Sequence, residues 1–198
     1  RMYFSDRLDG APFSAEDESL AAQAADILGL TLSHHRLQNE RRQAADTLHD
    51  IAQVLSANTA GESLFHKLVL SLAKALEVDF AFVGTLAPGQ QKTVQTVAVY
   101  AHGKIVDNFA YDLEGTPCVN VVGREPCQYP RDVQRQFPND RLLKDMGIES
   151  YVGYPLSSSA GRPLGLLAIM HTKPLANPGQ IQSILQISAA RAAAELER

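Results

Sequence analysis

The sequence predicts an α+β fold: a central antiparallel sheet of about six strands, helices kept apart from it, and a long helix leading in. Three observations predict it. Two-residue turn signals, Pro88-Gly89 and His102-Gly103, join successive stretches of period-two hydrophobicity, which only antiparallel neighbours allow. A polar, helix-prone insertion separates these stretches from two further strands. Segments of helical period flank the whole block rather than alternating with its strands.

The elements follow in order. Met2 to Phe13 reads as a short strand and loop. Ser14-Ala15-Glu16-Asp17 opens a helix, with Ser14 as cap and Asp17 at the capping-box position. The helical pattern continues to Ser56. Leu20 and Ile27 lead into Leu30, Leu37, Ala44 and Ile51, and Leu48 and Leu55 fill the companion positions of a heptad seam. His34 and Arg41 interrupt that seam with polar groups, and Gly29 weakens the helix. A two-stranded coiled coil or small bundle fits the pattern, with Leu30, Leu37, Leu48, Ile51 and Leu55 as contacts. An amphipathic helix lying on its own sheet fits it too.

Thr59-Ala60-Gly61 breaks the pattern. A second helix over Glu62 to Leu76 sets Leu64, Phe65, Leu68, Leu72 and Leu76 on one face. Strands follow at Asp79 to Ala87, Thr93 to Ala101 and Lys104 to Leu113. The insertion holds short helices at Thr116 to Gly123 and Pro138 to Met146, and an extended piece at Glu125 to Tyr129. Asp140 within Asn139-Asp140-Arg141 reads as a helix cap. Ser150 to Leu156 and Pro163 to His171 are the last strands. Asn177 as cap and Pro178 at the first position start a terminal helix striped by Ile181, Ile184, Leu185, Ser188, Ala192 and Leu196.

Composition excludes several classes. A chain of 198 residues supports one buried core plus an accessory element. Net charge is -4 with no basic block, so a nucleic-acid partner is not expected. No apolar run approaches the ~20 residues that span a bilayer, and the start lacks a signal-peptide core. The chain is expected to be cytoplasmic. It begins at Arg1 and ends within a helical pattern, so a fragment of a longer protein is expected, with an output domain in the same chain. The two cysteines, Cys118 and Cys127, make no disulfide framework. No serine triad, paired carboxylates, phosphate loop or zinc spacing appears. The adjacent His34 and His35 point to different helix faces, so no metal site is expected.

One stretch is more specific. Between Tyr111 and Pro174 come Gly115-Thr116-Pro117-Cys118, Phe137-Pro138 with Asp140, Met146-Gly147, Ser150 through Leu156, Gly161 and Leu164-Gly165-Leu166-Leu167. In this order they resemble the second half of a GAF domain, a sensory module that holds a small ligand or a partner domain. The resemblance implies that the first and last helices pack on one sheet face while the insertion covers the other and closes a pocket. It implies ligand-facing side chains at Phe82, Phe109, Tyr111, Cys118, Val122, Cys127, Tyr129 and Tyr151. It leaves the ligand unnamed, and the same side chains could fill the pocket themselves. Gly115, Gly147, Gly153 and Gly165 read as backbone requirements. Pro12-Phe13-Ser14 followed by Glu16-Asp17 is similar to the way such a domain enters its last helix. The chain therefore divides into 1–32, the tail of a preceding domain or a plain extension, 33–58, a linker helix, and 59–198, the GAF domain. A homodimer through the terminal helices is expected.

Departures from the family's special cases matter. Bilin-binding members carry Cys-His, whereas Cys118 precedes Val119 and Cys127 precedes Gln128. Free methionine sulfoxide reductases of this fold carry a third cysteine and a Gly-His-Ile-Ala-Cys run, and the cyclic-nucleotide members an Asn-Lys-Phe-Asp-Glu signature; all are absent. Two catalytic readings stay open. Cys118 in a first helical turn could be a reactive thiol. Leu48-His49-Asp50 loosely resembles a kinase phosphoacceptor helix, against a plain surface helix.

Overall fold

The computed structural model describes residues 13–56, 61–87 and 92–198; side chains at 36, 37 and 39–56 fall outside the description. Met2 to Pro12, Thr59-Ala60 and Pro88-Gly89 therefore lie outside the described residues, as do the side chains of Leu37, Leu48, His49, Ile51 and Leu55. The contacts divide the chain into two units, 1–46 and 47–198.

In the first unit, α1 (Ala15–Ser56) begins with the expected capping box. The Asp17 amide donates to Ser14 Oγ, and the Ser14 amide donates back to Asp17 Oδ2 at 2.8 Å. Leu20, Ile27, Leu28, Leu30 and Leu32 are all exposed, Leu30 at 73%.

The second unit is built on a seven-stranded antiparallel sheet in the order β3-β2-β1-β7-β6-β5, with β4 also paired to β2. The strands are β1 (Phe80–Leu86), β2 (Thr93–Ala101), β3 (Lys104–Val106), β4 (Ala110–Asp112), β5 (Cys127–Tyr129), β6 (Ser150–Ser157) and β7 (Pro163–His171). The expected single strand over Lys104 to Leu113 is two pieces, β3 and β4, in one register on the same edge of β2. Thr96 explains the break. Its Oγ1 accepts from the Phe109 amide at 2.8 Å and donates to the Phe109 carbonyl at 3.0 Å, so a side-chain bond takes the place of one ladder bond while the Thr96 amide keeps the other, to the Phe109 carbonyl at 2.9 Å. Opposite, Val97 is an extra residue in β2 against β1, since Val83 pairs with Ala98 and Gly84 with Thr96. The bulge flips the alternation, so Val94 and Val99 share a face while Ala98 and Tyr100 take the other.

The two faces bury different things. α2 (Glu62–Ala75) and α5 (Pro178–Glu197) cover one face through Leu68, Leu72, Ile184 and Leu185, over Ala81, Val83, Val152, Leu167 and Ile169. The segment between β4 and β6 covers the other through Leu113, Cys118, Val121, Val133, Leu143 and Ile148, over Phe80, Phe82, Tyr151, Leu166 and Met170. Strict alternation along β1, β6 and β7 puts neighbouring residues into opposite layers.

Local differences have physical reasons. The insertion carries an unforeseen helical turn, α3 (Val133–Gln136), entered through Asp132 in the left-handed region. The Asp132 amide donates to Glu149 Oε1 and Gln134 Nε2 to the Ile148 carbonyl, both long-range bonds that no local pattern encodes. Thr116 to Gly123 condenses to a 3₁₀ turn, Pro117–Asn120, and α4 spans only Arg141–Asp145. Asn177 starts α5 through a left-handed backbone, φ 52°, and not through a side-chain cap. Gly115 and Gly147 have positive φ, as a backbone requirement demands, but Gly153 and Gly165 do not. A Cβ at Gly165 would run into the Gly84 carbonyl of β1, so this glycine permits close approach of two strands.

Candidate ligand site under the connecting segment

Cys118 is the centre of the site. The 3₁₀ turn Pro117–Asn120 seats its thiol, fully covered, against the sheet. Two hydroxyls converge on Sγ: Tyr111 from β4 and Tyr151 from β6, each at 3.3 Å. Tyr151 lies this low because Gly153, two residues along the same face, has no side chain. A Cβ there would collide with the Tyr151 hydroxyl and sit 2.7 Å from Val121 Cγ2. Asp140 completes the group. Its Oδ1 caps α4 by accepting from the Leu143 amide at 3.2 Å, while only 8% of the residue is exposed.

These groups line a cavity of about 30 Å³, roughly one water molecule's worth of space. Its walls are Phe82, Tyr111, Cys118, Tyr151 and Met170 from the sheet side and the 3₁₀ turn, with Thr116 and Pro117 beside them. Leu142, Leu143 and Met146 close it from the α4 side. Phe109 and Leu142 form the mouth: both line the cavity, and both remain more than a third exposed, at 36% and 38%. The rings meet at angles that keep them from stacking flat, Phe82 on Tyr111 at 84° and Phe109 on Tyr111 at 43°.

Burial dominates the acid–base behaviour. It pushes the Tyr111 and Tyr151 hydroxyls well above the usual phenol range, and the neighbouring Cys118 adds to both. Burial also raises the Cys118 thiol, against the opposing bonds from Tyr111, Tyr151 and Thr116. The carboxyl of Asp140 is raised by burial despite the Leu143 and Leu142 amides. Cys118 is therefore held as a neutral thiol inside a polar cluster, the opposite of the exposed, low-pKa thiolate that redox chemistry uses. Cys127 is raised as well, by burial and then by Glu125.

Of the eight residues expected to face a ligand, Phe82, Phe109, Tyr111, Cys118 and Tyr151 line this cavity. Val122, Cys127 and Tyr129 lie in the same layer but beside it. Cys127 Sγ points to the Asn120 carbonyl at 3.3 Å, and the Tyr129 hydroxyl accepts from Asn120 Nδ2 at 2.9 Å with its ring on Phe137. Sequence reasoning missed Thr116, Met146, Met170 and the second role of Asp140. The signal available for Asp140 was its place in the Phe137-Pro138-Asn139-Asp140 run, which also reads as a plain cap.

Among the described residues there is no cluster of three or more metal-ligating side chains and no helix long and apolar enough to cross a membrane. The fold is similar to the GAF domain of an Acinetobacter phosphoenolpyruvate-protein phosphotransferase, at TM-score 0.60 and 17% identity, over 78% of this chain and 92% of that one. It is also similar to the A. aeolicus nlh2 GAF domain in an inactive state, at TM-score 0.58 and 13% identity, over 79% and 97%. A bacteriophytochrome from R. palustris matches at TM-score 0.59 and 10% identity, over 80% of this chain but 38% of its own. No curated protein matches the sequence. The family model for the GAF domain matches residues 61–196, and the chain belongs to that family.

Proposed function

We propose that this chain is the regulatory GAF module of a larger cytoplasmic signalling protein, that it holds a small molecule at the Cys118 cavity, and that it works as a homodimer without catalysing a reaction itself. The observation that carries the reading is a polar cluster, buried Cys118, Tyr151 and Asp140 with half-buried Tyr111, in an otherwise apolar layer beneath an apolar mouth. Polar groups concentrated in one concave, mostly hydrophobic place are what a small-molecule site needs. The output route runs to the far face. The Gly61 amide at the start of α2 donates to Glu195 Oε1 near the end of α5, so the two helices over that face are tied. The exposed stripe Leu20, Ile27 and Leu30 supplies the seam for a second copy.

One observation favours a second reading. The cavity is small, about 30 Å³, so a ligand of more than a few atoms needs side chains such as Phe109 or Leu142 to move aside. In that reading the side chains fill the site and the module only dimerises. A native mass spectrum with an absorption spectrum of the protein purified from cells separates the two. A bound mass or chromophore band supports the sensor. A bare, colourless dimer whose melting temperature no compound raises refutes it and leaves the dimerisation module.

A further inference from the structure

The hydrogen-bond inventory of the cavity is one-sided. The Tyr111 and Tyr151 hydroxyls both direct their protons at Cys118 Sγ, at 3.3 Å each. Thr116 Oγ1 donates to the Leu113 carbonyl at 2.8 Å, and the Leu143 amide is taken by Asp140. These hydroxyl and amide donors are committed to protein partners, which leaves the weak S–H of Cys118 as the remaining donor. What remains among the lining groups is mainly acceptor capacity: the lone pairs of two phenolic oxygens and the Asp140 carboxylate, which the Leu143 and Leu142 amides cap from the α4 side.

The charge is one-sided too. Among the residues lining the cavity, Asp140 alone is ionisable near neutral pH, and no Lys, Arg or His accompanies it. Burial lifts its carboxyl, and no basic side chain acts on it to oppose that. Phe82, Phe109 and Tyr111 add aromatic rings, whose faces attract cations.

We infer that the molecule this cavity accepts is a small organic cation, an ammonium-bearing compound whose N–H groups meet Asp140 and the two tyrosine oxygens. An ammonium supplies three donors and a positive charge, which is what the walls lack. An anion such as a carboxylate or phosphate would face the Asp140 carboxylate with no cationic side chain to offset it. The inference rests on the ligand-sensing reading above and adds its charge class.

The test uses the full chain labelled with ¹³C at the methionine methyls, because Met146 and Met170 line the cavity and report on it directly. A matched series runs from methylammonium to 2-phenylethylammonium, each member compared with its alcohol and its carboxylate counterpart, and Met146→Leu assigns the resonances. The companion variant is Asp140→Asn, which keeps an N-cap side chain and removes the charge. We expect saturable shifts of Met146 and Met170 with the ammonium members, binding about ten-fold or more weaker for the alcohols, and none for the carboxylates. In Asp140→Asn the ammonium preference is lost while the alcohols still bind, which also shows that the variant folds. If carboxylates or alcohols bind as tightly as ammonium ions, or if Asp140→Asn leaves the preference intact, the charge assignment is overturned and the sensor reading stands. If no member of any class moves either methyl, the sensor reading fails and the inference falls with it.

Discussion

Replacing Gly153 by alanine tests whether this glycine exists to seat Tyr151. The position has no positive φ, so alanine fits the backbone and any penalty is steric. The new Cβ would stand 2.7 Å from Val121 Cγ2 and 2.9 Å from Tyr151 Cε1, besides touching the Tyr151 hydroxyl. That is about 0.8 Å short of the ~3.5 Å at which carbon atoms rest. Overpacking of this kind costs roughly 1–3 kcal/mol. A Gly→Ala change returns about 0.4–1 kcal/mol by restricting the unfolded chain. The net loss falls between about 0 and 2.6 kcal/mol, centred near ~1.3 kcal/mol, or roughly 3–5 °C in melting temperature for a chain of this length. The assay is thermal and urea unfolding by circular dichroism in four proteins: wild type, Gly153→Ala, Tyr151→Phe and the double variant. Tyr151→Phe removes one hydroxyl bond to sulfur and costs about 0.5–1.5 kcal/mol alone. It also removes the atom in closest conflict with the new methyl. Gly153→Ala should therefore cost about 1 kcal/mol less in the Tyr151→Phe background than in wild type, with a remainder owed to Val121 Cγ2 and the ring edge at Cε1. A coupling below about 0.5 kcal/mol would mean that the hydroxyl does not determine the glycine, and the reasoning fails.

Gly165→Ala should be worse than Gly153→Ala, because its Cβ meets the Gly84 carbonyl and lies 2.8 Å from Thr85 Cα, backbone atoms that cannot rotate away; the loss should exceed the ~1–3 kcal/mol of side-chain overpacking and appear as poor folding in the same melts. Burial alone would raise Asp79, but its bonds from the Thr172 amide and hydroxyl, with His171 at 2.7 Å, outweigh it and hold the carboxyl below its ordinary value. A depressed carboxyl contributes stability above its unfolded pKa and loses it as pH falls through the folded one, so Asp79→Asn should flatten the acid limb of a stability-versus-pH curve below about pH 4. Asp140 has the opposite sign: raised in the folded state, it disfavours folding above that pKa, and Asp140→Asn should leave the neutral-pH melting temperature equal or higher. Leu30→Glu, and Leu37→Glu on the same expected seam, should shift light-scattering mass toward monomer; unchanged mass would remove the proposed dimer contact.

Period and turn chemistry made much of this fold legible. His102-Gly103 gave a hairpin because both residues adopt positive φ, 45° and 96°. Ser14 and Asp17 formed their capping box because both partners lie within one turn. Phe80 and Phe82 alternated with Ala81 and Val83 because a strand buried on both sides still has two faces. Features set by distant partners were not legible. α3 depends on Glu149 and the Ile148 carbonyl, and the β3–β4 break depends on one threonine of β2. At the site, the residues implied by family resemblance split according to register. Tyr129 pairs with Tyr151 across β5 and β6 and its ring lies against both Tyr151 and Phe137, yet its hydroxyl is held by Asn120 and it does not line the cavity. Nothing local separates that tyrosine from Tyr111, whose hydroxyl reaches the thiol.

The same alternation bears on how occupancy at the cavity would reach the helices. On β6, Tyr151 belongs to the cavity layer and the next residue, Val152, to the layer beneath α5. Their β7 partners repeat the arrangement, Met170 lining the cavity and Ile169 under the helices. The peptide unit between two such neighbours belongs to both layers, so a shift of Tyr151 off Cys118 would move the strand that α5 rests on. α5 is in turn fastened at its far end: Glu197 holds the Ser159 amide and hydroxyl in the β6–β7 turn, and Glu195 holds the Gly61 amide of α2. A displaced β6 is thereby linked to α5 along its face and again at its end. Such a coupling would need no wire of special residues, only two arrangements of the sheet that a ligand prefers unequally. A ligand that fits both arrangements equally well, however tightly it binds, would leave the helices where they are.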